Sequence, residues 1–129
     1  MTLTAEQIQH YRDHGFLLLE RAIPEHTLAK VRSVIAHFIE SSRDVTHSNE
    51  IYDLDKKHTA ERPCIRRLKD PVQRSAVFSD LARDNAIVDP VAELLGGTVR
   101  FDHSKLNFKY PGASAEIQWH QDWAFYTYT

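Results

Sequence analysis

The stretch SKLNFKYPGASAEIQWHQDWAFY, residues 104–126, decides the fold predicted for the end of this chain. Apolar and polar side chains alternate on both sides of its Pro-Gly pair, and this alternation predicts two strands joined by a turn. The first strand is expected over residues 98–110 and the second over residues 117–129, with the turn at 111–116. The last part of the chain is therefore predicted to be β-structure.

Helices are predicted upstream of these strands. Residues 4–7, TAEQ, have the form of a capping box, which predicts a short helix that runs to about His14 and ends on Gly15. Residues 16–20, FLLLE, predict a short buried strand. Residues 23–42 predict the longest helix, because apolar residues recur at steps of three and four. Pro24 suits its first turn, and its apolar stripe consists of Leu28, Val31, Ile35, Phe38 and Ile39.

Two Asp-Pro pairs indicate where further helices begin. The pair at residues 70–71 predicts a helix through about Arg83, and the pair at 89–90 predicts another that the glycines at 96–97 end. Residues 41–63 are polar and aperiodic, and this length is more than a usual connection. We interpret them as a functional lid or a mobile excursion.

Composition limits the class of protein. The 129 residues predict one α+β domain, with residues 1–97 mainly helical and residues 98–129 forming strands. A formal net charge of -2 without a long basic run argues against nucleic acid as a partner. The start has no signal-peptide pattern, and the longest apolar run, residues 16–19, is too short to span a membrane. Because Cys64 is the only cysteine, no disulfide can form within the chain, and we expect a cytoplasmic protein without a membrane partner.

His120 and Asp122 lie two residues apart in the second predicted strand. Because strand side chains alternate between the faces of a sheet, both are expected on the same side. An imidazole and a carboxylate are two of the three protein ligands in the facial triad of non-haem Fe(II) sites. The pattern is short, and a histidine hydrogen-bonded to a surface aspartate is the alternative interpretation.

The first predicted strand carries polar residues at alternate positions, which are His103, Lys105, Asn107 and Lys109. A cation and an amide on one face could hold the carboxylates of a dicarboxylate co-substrate beside a metal. Lysines that only face water at a sheet surface are the alternative.

These residues carry a family resemblance. Residues 104–126 resemble the metal-binding segment of the phytanoyl-CoA dioxygenase family, with Asn and Lys on a strand, a Pro-Gly turn and then Trp-His-x-Asp. Residues 11–24, YRDHGFLLLERAIP, resemble the opening of the same enzymes. The resemblance implies a double-stranded β-helix, a jelly-roll or cupin-like fold, that binds Fe(II). It also implies 2-oxoglutarate as co-substrate and hydroxylation of a small-molecule substrate.

The resemblance further implies roles for single residues. His120 and Asp122 would be the Fe(II) ligands, and no catalytic residue is expected beyond the metal ligands. Lys105 and Asn107 would contact 2-oxoglutarate. The carboxylate of Asp122 favours hydroxylation over halogenation. Residues expected to border the substrate pocket are Tyr126, Lys109, Arg66 and Arg67, with the two arginines either holding an anionic substrate or facing solvent.

The family pattern also includes two residues, a histidine and an arginine, that come after the Trp-His-x-Asp segment and are not found after Asp122 in this sequence. Family members carry a distal histidine ligand and an arginine for the far carboxylate of 2-oxoglutarate, whereas only residues 123–129 remain. We therefore expect an incomplete β-helix, the N-terminal portion of a longer oxygenase, that is inactive alone and can self-associate through an exposed strand edge. His47 and His58, or another polypeptide, are the alternative sources of a third ligand.

Two other functions stay open from the residues. A truncated relative could serve in binding or assembly without catalysis, since two protein ligands hold a metal weakly. A hydrolytic zinc site at the same pair is the other alternative, but catalytic zinc usually has three protein ligands and a water.

Overall fold

The computed structural model of the chain describes residues 2–111 and 117–122. Within these residues, helices are combined with a small antiparallel sheet of three strands, so the predicted α+β class is confirmed. In chain order the elements are α1 (Ala5–His14), α2 (Glu25–Ser41), β1 (Tyr52–Leu54), β2 (Ile65–Lys69), α3 (Pro71–Arg74), α4 (Ala76–Leu81), α5 (Asn85–Leu95) and β3 (Lys105–Asn107).

Helix α1 forms where its end signals predict it. The Thr4 side chain accepts a hydrogen bond from the Gln7 backbone N–H at 3.2 Å, and the Gln7 side chain accepts one from the Thr4 backbone N–H at 2.9 Å. Gly15 ends the helix in the left-handed conformation, with φ 79°, and donates its N–H to the Tyr11 carbonyl at 2.8 Å. These bonds satisfy backbone groups that a helix end leaves unpaired, so this prediction is confirmed.

Helix α2 covers one face of the sheet. Its Phe38 and Ile39 pack against the buried cluster of Tyr52, Ile65 and Leu68. Ile65 and Leu68 are 0% exposed, and burial of such a side chain contributes about 1.5–3 kcal/mol. The predicted long helix is thus confirmed as the element that packs on the sheet.

Strand β2 is the central strand and pairs antiparallel with β1 and β3. Leu68 stands opposite Tyr52 on β1 and Leu106 on β3. This row faces the core beneath α2, and burial raises the pKa of the Tyr52 phenol above its ordinary value of 10.0. The next row, Asp53, Arg67 and Asn107, therefore faces away from this core, and a register shift after Asp53 keeps Ile65 on the core side.

Strands β1 and β2 are absent from the prediction made on sequence. Residues 41–63, interpreted as a lid or excursion, contain β1. The segment is held locally, since Oδ1 of Asn49 accepts hydrogen bonds from the N–H groups of Ile51 and Tyr52, both at 2.9 Å. A strand of three residues is too short to show a period, and β1 becomes a strand because β2 pairs with it.

The helix predicted from residue 70 to about Arg83 is divided in two. Ser75 has an extended backbone, with φ -146° and ψ 128°, and separates α3 from α4. Asp70 adopts a left-handed conformation with φ 48° and makes no side-chain cap bond. The prediction of one continuous helix here is wrong, because the extended backbone at Ser75 interrupts it.

Helix α5 begins earlier than the Asp-Pro pair at 89–90 predicts. The Asp84 side chain accepts a hydrogen bond from the Ala86 N–H at 2.8 Å and caps the helix at Asn85. Pro90 lies inside the helix, and Gly96 ends it in the left-handed conformation. The predicted start is wrong and the predicted end is confirmed.

Two predicted strands do not form within the described residues. Residues 16–20 pair with no strand, and Phe16 and Leu18 are 60% and 75% exposed. Residues 117–122 also form no ladder, and Trp119 is fully exposed. A strand needs a neighbour to pair with its backbone, and the sheet of β1, β2 and β3 does not extend to either segment.

Strand β3 covers three residues of the strand predicted over 98–110. Residues 98–104 and 108–110 are described and form no strand, so this part of the prediction is wrong. Residues 112–116 of the predicted turn and residues 123–129, with Tyr126, lie outside the described residues. Among the residues that the structure describes, no helix is both long enough and apolar enough to cross a membrane.

Candidate functional site

His120 and Asp122 come together at the end of the described chain. Nε2 of His120 lies 3.2 Å from Oδ1 of Asp122. The other ring nitrogen, Nδ1, is 2.7 Å from the carbonyl oxygen of Gln118. Because a carbonyl only accepts, Nδ1 donates in this contact, and Nε2 is the ring nitrogen that faces Asp122.

At this distance, a proton or a metal cation must lie between Nε2 and the carboxylate oxygen. An imidazole that donates one ring N–H to a carbonyl and offers the other nitrogen is the usual arrangement of a metal-bound histidine. An imidazole and a carboxylate are also the residue types of two positions in an Fe(II) facial triad. Among residues 2–111 and 117–122, no group of three or more His, Cys, Asp or Glu residues could hold a metal ion.

The two upstream histidines considered as a third ligand make other contacts. Nδ1 of His58 accepts a hydrogen bond from the Cys64 backbone N–H at 2.9 Å. Nδ1 of His47 is 2.9 Å from Oγ1 of Thr46. In this structure, neither residue joins the His120 pair in a metal-binding group.

A row of polar side chains crosses the sheet on the face opposite α2. Asp53 on β1 stands opposite Arg67 on β2, and Arg67 stands opposite Asn107 on β3. Nε of Arg67 donates a hydrogen bond to Oδ1 of Asn107 at 3.1 Å, and Nη1 of Arg67 is 3.6 Å from Oδ2 of Asp53. We call Asp53, Arg67 and Asn107 the polar row.

Asp53 is the negative centre of this face. Nζ of Lys69 lies 2.8 Å from its Oδ1, and Nη2 of Arg66 lies 3.8 Å from its Oδ2. Only 15% of the Asp53 side chain is exposed, so it is screened less by salt than a surface carboxylate. With Arg67, three cations surround one carboxylate, which leaves an excess of positive charge on this side of the sheet.

The sequence-predicted residues of β3 lie on the same face. Lys105 stands opposite Lys69, and Lys105 and Asn107 are both exposed, whereas Leu106 between them is half-buried against the core. The exposed position of Lys109 continues this alternation beyond the strand. The structure thus brings Lys105 and Asn107 to the face that carries Arg67.

Asp53 and Lys69 were not singled out from the sequence. The only local signal for Asp53 is the polar residue between Tyr52 and Leu54, and three residues are too few to assign a face. Their role depends on the pairing of β1 with β2, which brings together residues from distant parts of the chain.

Comparison with known proteins identifies the family to which the chain belongs. Residues 11–129 match the family described as "Phytanoyl-CoA dioxygenase (PhyH)", and the chain belongs to this family. Its relatives include a protein of Stutzerimonas stutzeri named "Probable alpha-ketoglutarate-dependent hypophosphite dioxygenase". The two are 34% identical over 125 residues, which cover 97% of this chain and 43% of the relative.

Two further relatives are named "Ectoine dioxygenase". The protein of Streptomyces avermitilis is 23% identical over 120 residues, covering 93% of this chain and 39% of its own length. The protein of Bordetella parapertussis is 24% identical over 120 residues, covering 93% of this chain and 37% of its own length. The chain spans less than half the length of these relatives.

Proposed function

We propose that this protein is an Fe(II)- and 2-oxoglutarate-dependent dioxygenase that hydroxylates a small molecule. The observation that carries the proposal is the convergence of His120 Nε2 and Asp122 Oδ1 at 3.2 Å, in a chain of the phytanoyl-CoA dioxygenase family. The relatives named as dioxygenases support it.

In this proposal His120 and Asp122 hold the iron, and the bound iron supplies the activation of O2. One oxygen atom enters the substrate and the other enters succinate, while 2-oxoglutarate loses CO2. The carbonyl of Gln118 keeps the proton of His120 on Nδ1 and so keeps Nε2 available to the metal. A third ligand would come from outside the residues that form this pair.

Lys105 and Asn107 would bind the carboxylates of 2-oxoglutarate, the lysine by its charge and the amide by its N–H groups. Their exposed face of the sheet, opposite the core packed on α2, would become the inner face of a double-stranded β-helix. A buried face on one side and a polar face on the other is the pattern expected for a strand that lines a ligand cavity.

The substrate in this proposal is a small anion. The excess positive charge around Asp53 supports it, because Arg66, Arg67 and Lys69 lie within 3.8 Å of a single carboxylate. The Stutzerimonas stutzeri relative is named for hypophosphite, a small oxyanion, and this makes hypophosphite the first candidate. A reducing cytoplasmic location is part of the proposal, since the only cysteine, Cys64, is buried and free.

The test is anaerobic titration of the chain with Fe(II) in the presence of 2-oxoglutarate, followed by the visible charge-transfer band of the ternary complex. A band at one iron per chain would mean that the chain supplies a third ligand, and this band should be lost in His120→Ala. His103→Ala is the matched control, because His103 forms a similar pair with Asp102 at 2.7 Å. If both variants keep the wild-type band, His120 is not a ligand and the proposed site is wrong. If the wild-type chain gives no band, the chain alone does not supply the third ligand.

A non-catalytic role in assembly is the second candidate. It is favoured by the exposed Phe16 and Leu18 and by the two short edges of the described sheet, β1 and β3. Under this alternative the chain self-associates and binds no iron in the titration, and sedimentation velocity would measure the association directly.

A further inference from the structure

We propose that Arg67 is a positioning residue that orients the side-chain amide of Asn107, and that Asp53 holds Arg67 in place for this task. The inference rests on the proposed function, in which Asn107 binds 2-oxoglutarate. Neither Arg67 nor Asp53 need touch the co-substrate, since both act through Asn107.

The backbone places the three residues of the polar row side by side. They occupy one register row of antiparallel pairing, from Asp53 through Arg67 to Asn107. Directly paired positions have Cβ atoms about 4.5–5.5 Å apart, within reach of polar side chains. Strand pairing therefore sets the distance between these three side chains, and only their orientation remains to be fixed by contacts.

The chemistry of the row determines which end of the amide faces Arg67. A guanidinium only donates, so the atom 3.1 Å from its Nε must be the carbonyl oxygen of Asn107 rather than the amino group. With Oδ1 engaged, the two N–H donors at Nδ2 point away from Arg67. An amide in this orientation is a donor to an incoming carboxylate.

Arg67 is itself fixed from the other side of the row. Its Nη1 lies 3.6 Å from Oδ2 of Asp53, while Oδ1 of Asp53 is 2.8 Å from Nζ of Lys69. Lys69 also donates to the Asn49 carbonyl at 2.8 Å, which anchors the cation to the β1 side of the sheet. The carboxylate thus holds the guanidinium in the geometry that the bond to Asn107 requires.

A simple attraction of the co-substrate by positive charge makes the opposite prediction for one variant. Asp53→Asn removes a negative charge, so attraction alone predicts that the dianion 2-oxoglutarate binds more tightly. Positioning predicts weaker binding, because Arg67 loses its partner. Arg67→Lys distinguishes charge attraction from positioning in another way, since lysine keeps the charge but cannot contact Asp53 and Asn107 together.

The experiment measures the dissociation constant of 2-oxoglutarate by anaerobic calorimetry with the Fe(II)-loaded full chain. Asp53→Asn and Arg67→Lys are each expected to raise it by roughly tenfold, the loss of about one charge-assisted hydrogen bond. In an Asn107→Ala background, Arg67→Lys should have no further effect. Arg32→Lys is the matched control, since Arg32 is exposed and pairs with Glu25 on α2.

A second readout needs no metal. The Asn107 carboxamide protons, identified in an amide NMR spectrum by their loss in Asn107→Ala, should move when Arg67 is replaced by lysine and stay in place in Arg32→Lys. This measurement keeps the proposal testable if Asp53→Asn destabilises the fold.

The outcomes separate the inference from the proposed function. Unchanged 2-oxoglutarate binding in Asn107→Ala would remove the co-substrate from Asn107 and overturn the proposed site. Weaker binding in Asn107→Ala, with wild-type binding and unmoved carboxamide protons in Arg67→Lys, would overturn the positioning role alone. Tighter binding of 2-oxoglutarate in Asp53→Asn would show that charge attraction, and not positioning, governs its affinity.

Discussion

Nε2 of His120 lies 3.2 Å from Oδ1 of Asp122, although residues 117–122 form no strand with the rest of the described structure. The spacing of the two residues predicts a shared side through strand alternation, and the side chains do meet. The hydrogen bond between Nδ1 of His120 and the Gln118 carbonyl orients the ring locally. The pair therefore depends on a few neighbouring residues more than on the sheet.

Asp122→Asn is expected to weaken Fe(II) binding. The amide keeps the size of the side chain but removes the charge that balances the metal, and the loss should exceed the roughly 10–100-fold effect of an outer-shell partner. Anaerobic Fe(II) titration measures it. Asp102→Asn is the control, because Asp102 contacts His103 in a similar pair, and equal losses in both variants would contradict the assignment.

Arg66→Ala is expected to weaken the binding of an anionic substrate. Arg66 lies 3.8 Å from Asp53 and its side chain is 54% exposed, so it contributes charge without a close hydrogen bond. The dissociation constant of hypophosphite should rise several-fold, and the difference should shrink as salt is added because exposed charges are screened. An unchanged constant at low salt would remove Arg66 from the substrate site.

Leu68→Ala is expected to reduce the free energy of unfolding by about 2–5 kcal/mol, since it leaves a cavity beneath α2. Leu68 is 0% exposed, whereas Leu18 is 75% exposed, so Leu18→Ala is the matched control. The control should change stability by no more than about 0.5 kcal/mol. Denaturant unfolding of the two variants measures both values, and similar losses would place Leu68 outside the core.

Stability should fall at alkaline pH through Tyr52. Burial raises the pKa of its phenol, so the unfolded chain loses this proton before the folded chain does. The stabilisation is complete below the unfolded pKa of about 10 and is lost as pH rises through the folded value. Unfolding free energies of the wild type and Tyr52→Phe, compared across this range, should show a shallower decline in the variant. Parallel curves would show that Tyr52 is not the group responsible.

The predicted helices illustrate how far local sequence reaches. Helix α1 is set by contacts between Thr4 and Gln7 and by Gly15, all within a few positions of one another. The start of α5 was misplaced because two capping signals compete, and Asp84 forms the cap bond ahead of the later Asp-Pro pair.

The candidate site likewise contains residues that local sequence reveals and residues that only strand pairing reveals. His120 and Asp122 could be selected from the sequence, because their spacing is a local pattern with a known metal chemistry. Asp53 could not be selected, since its significance appears only when Lys69 and Arg67 lie beside it.

The sequence by itself determined both ends of α1, the end of α5, the apolar stripe of α2 and the identity of the His-x-Asp pair, because each depends on neighbours within a turn or two of chain. The tertiary structure alone decided the polar row. Arg67 and Asn107 are separated by 40 positions, and only the pairing of β2 with β3 brings the guanidinium to the amide. Strand pairing is a relation between distant segments, and a short strand such as β1 has too few residues for its sequence to indicate which strand it pairs with.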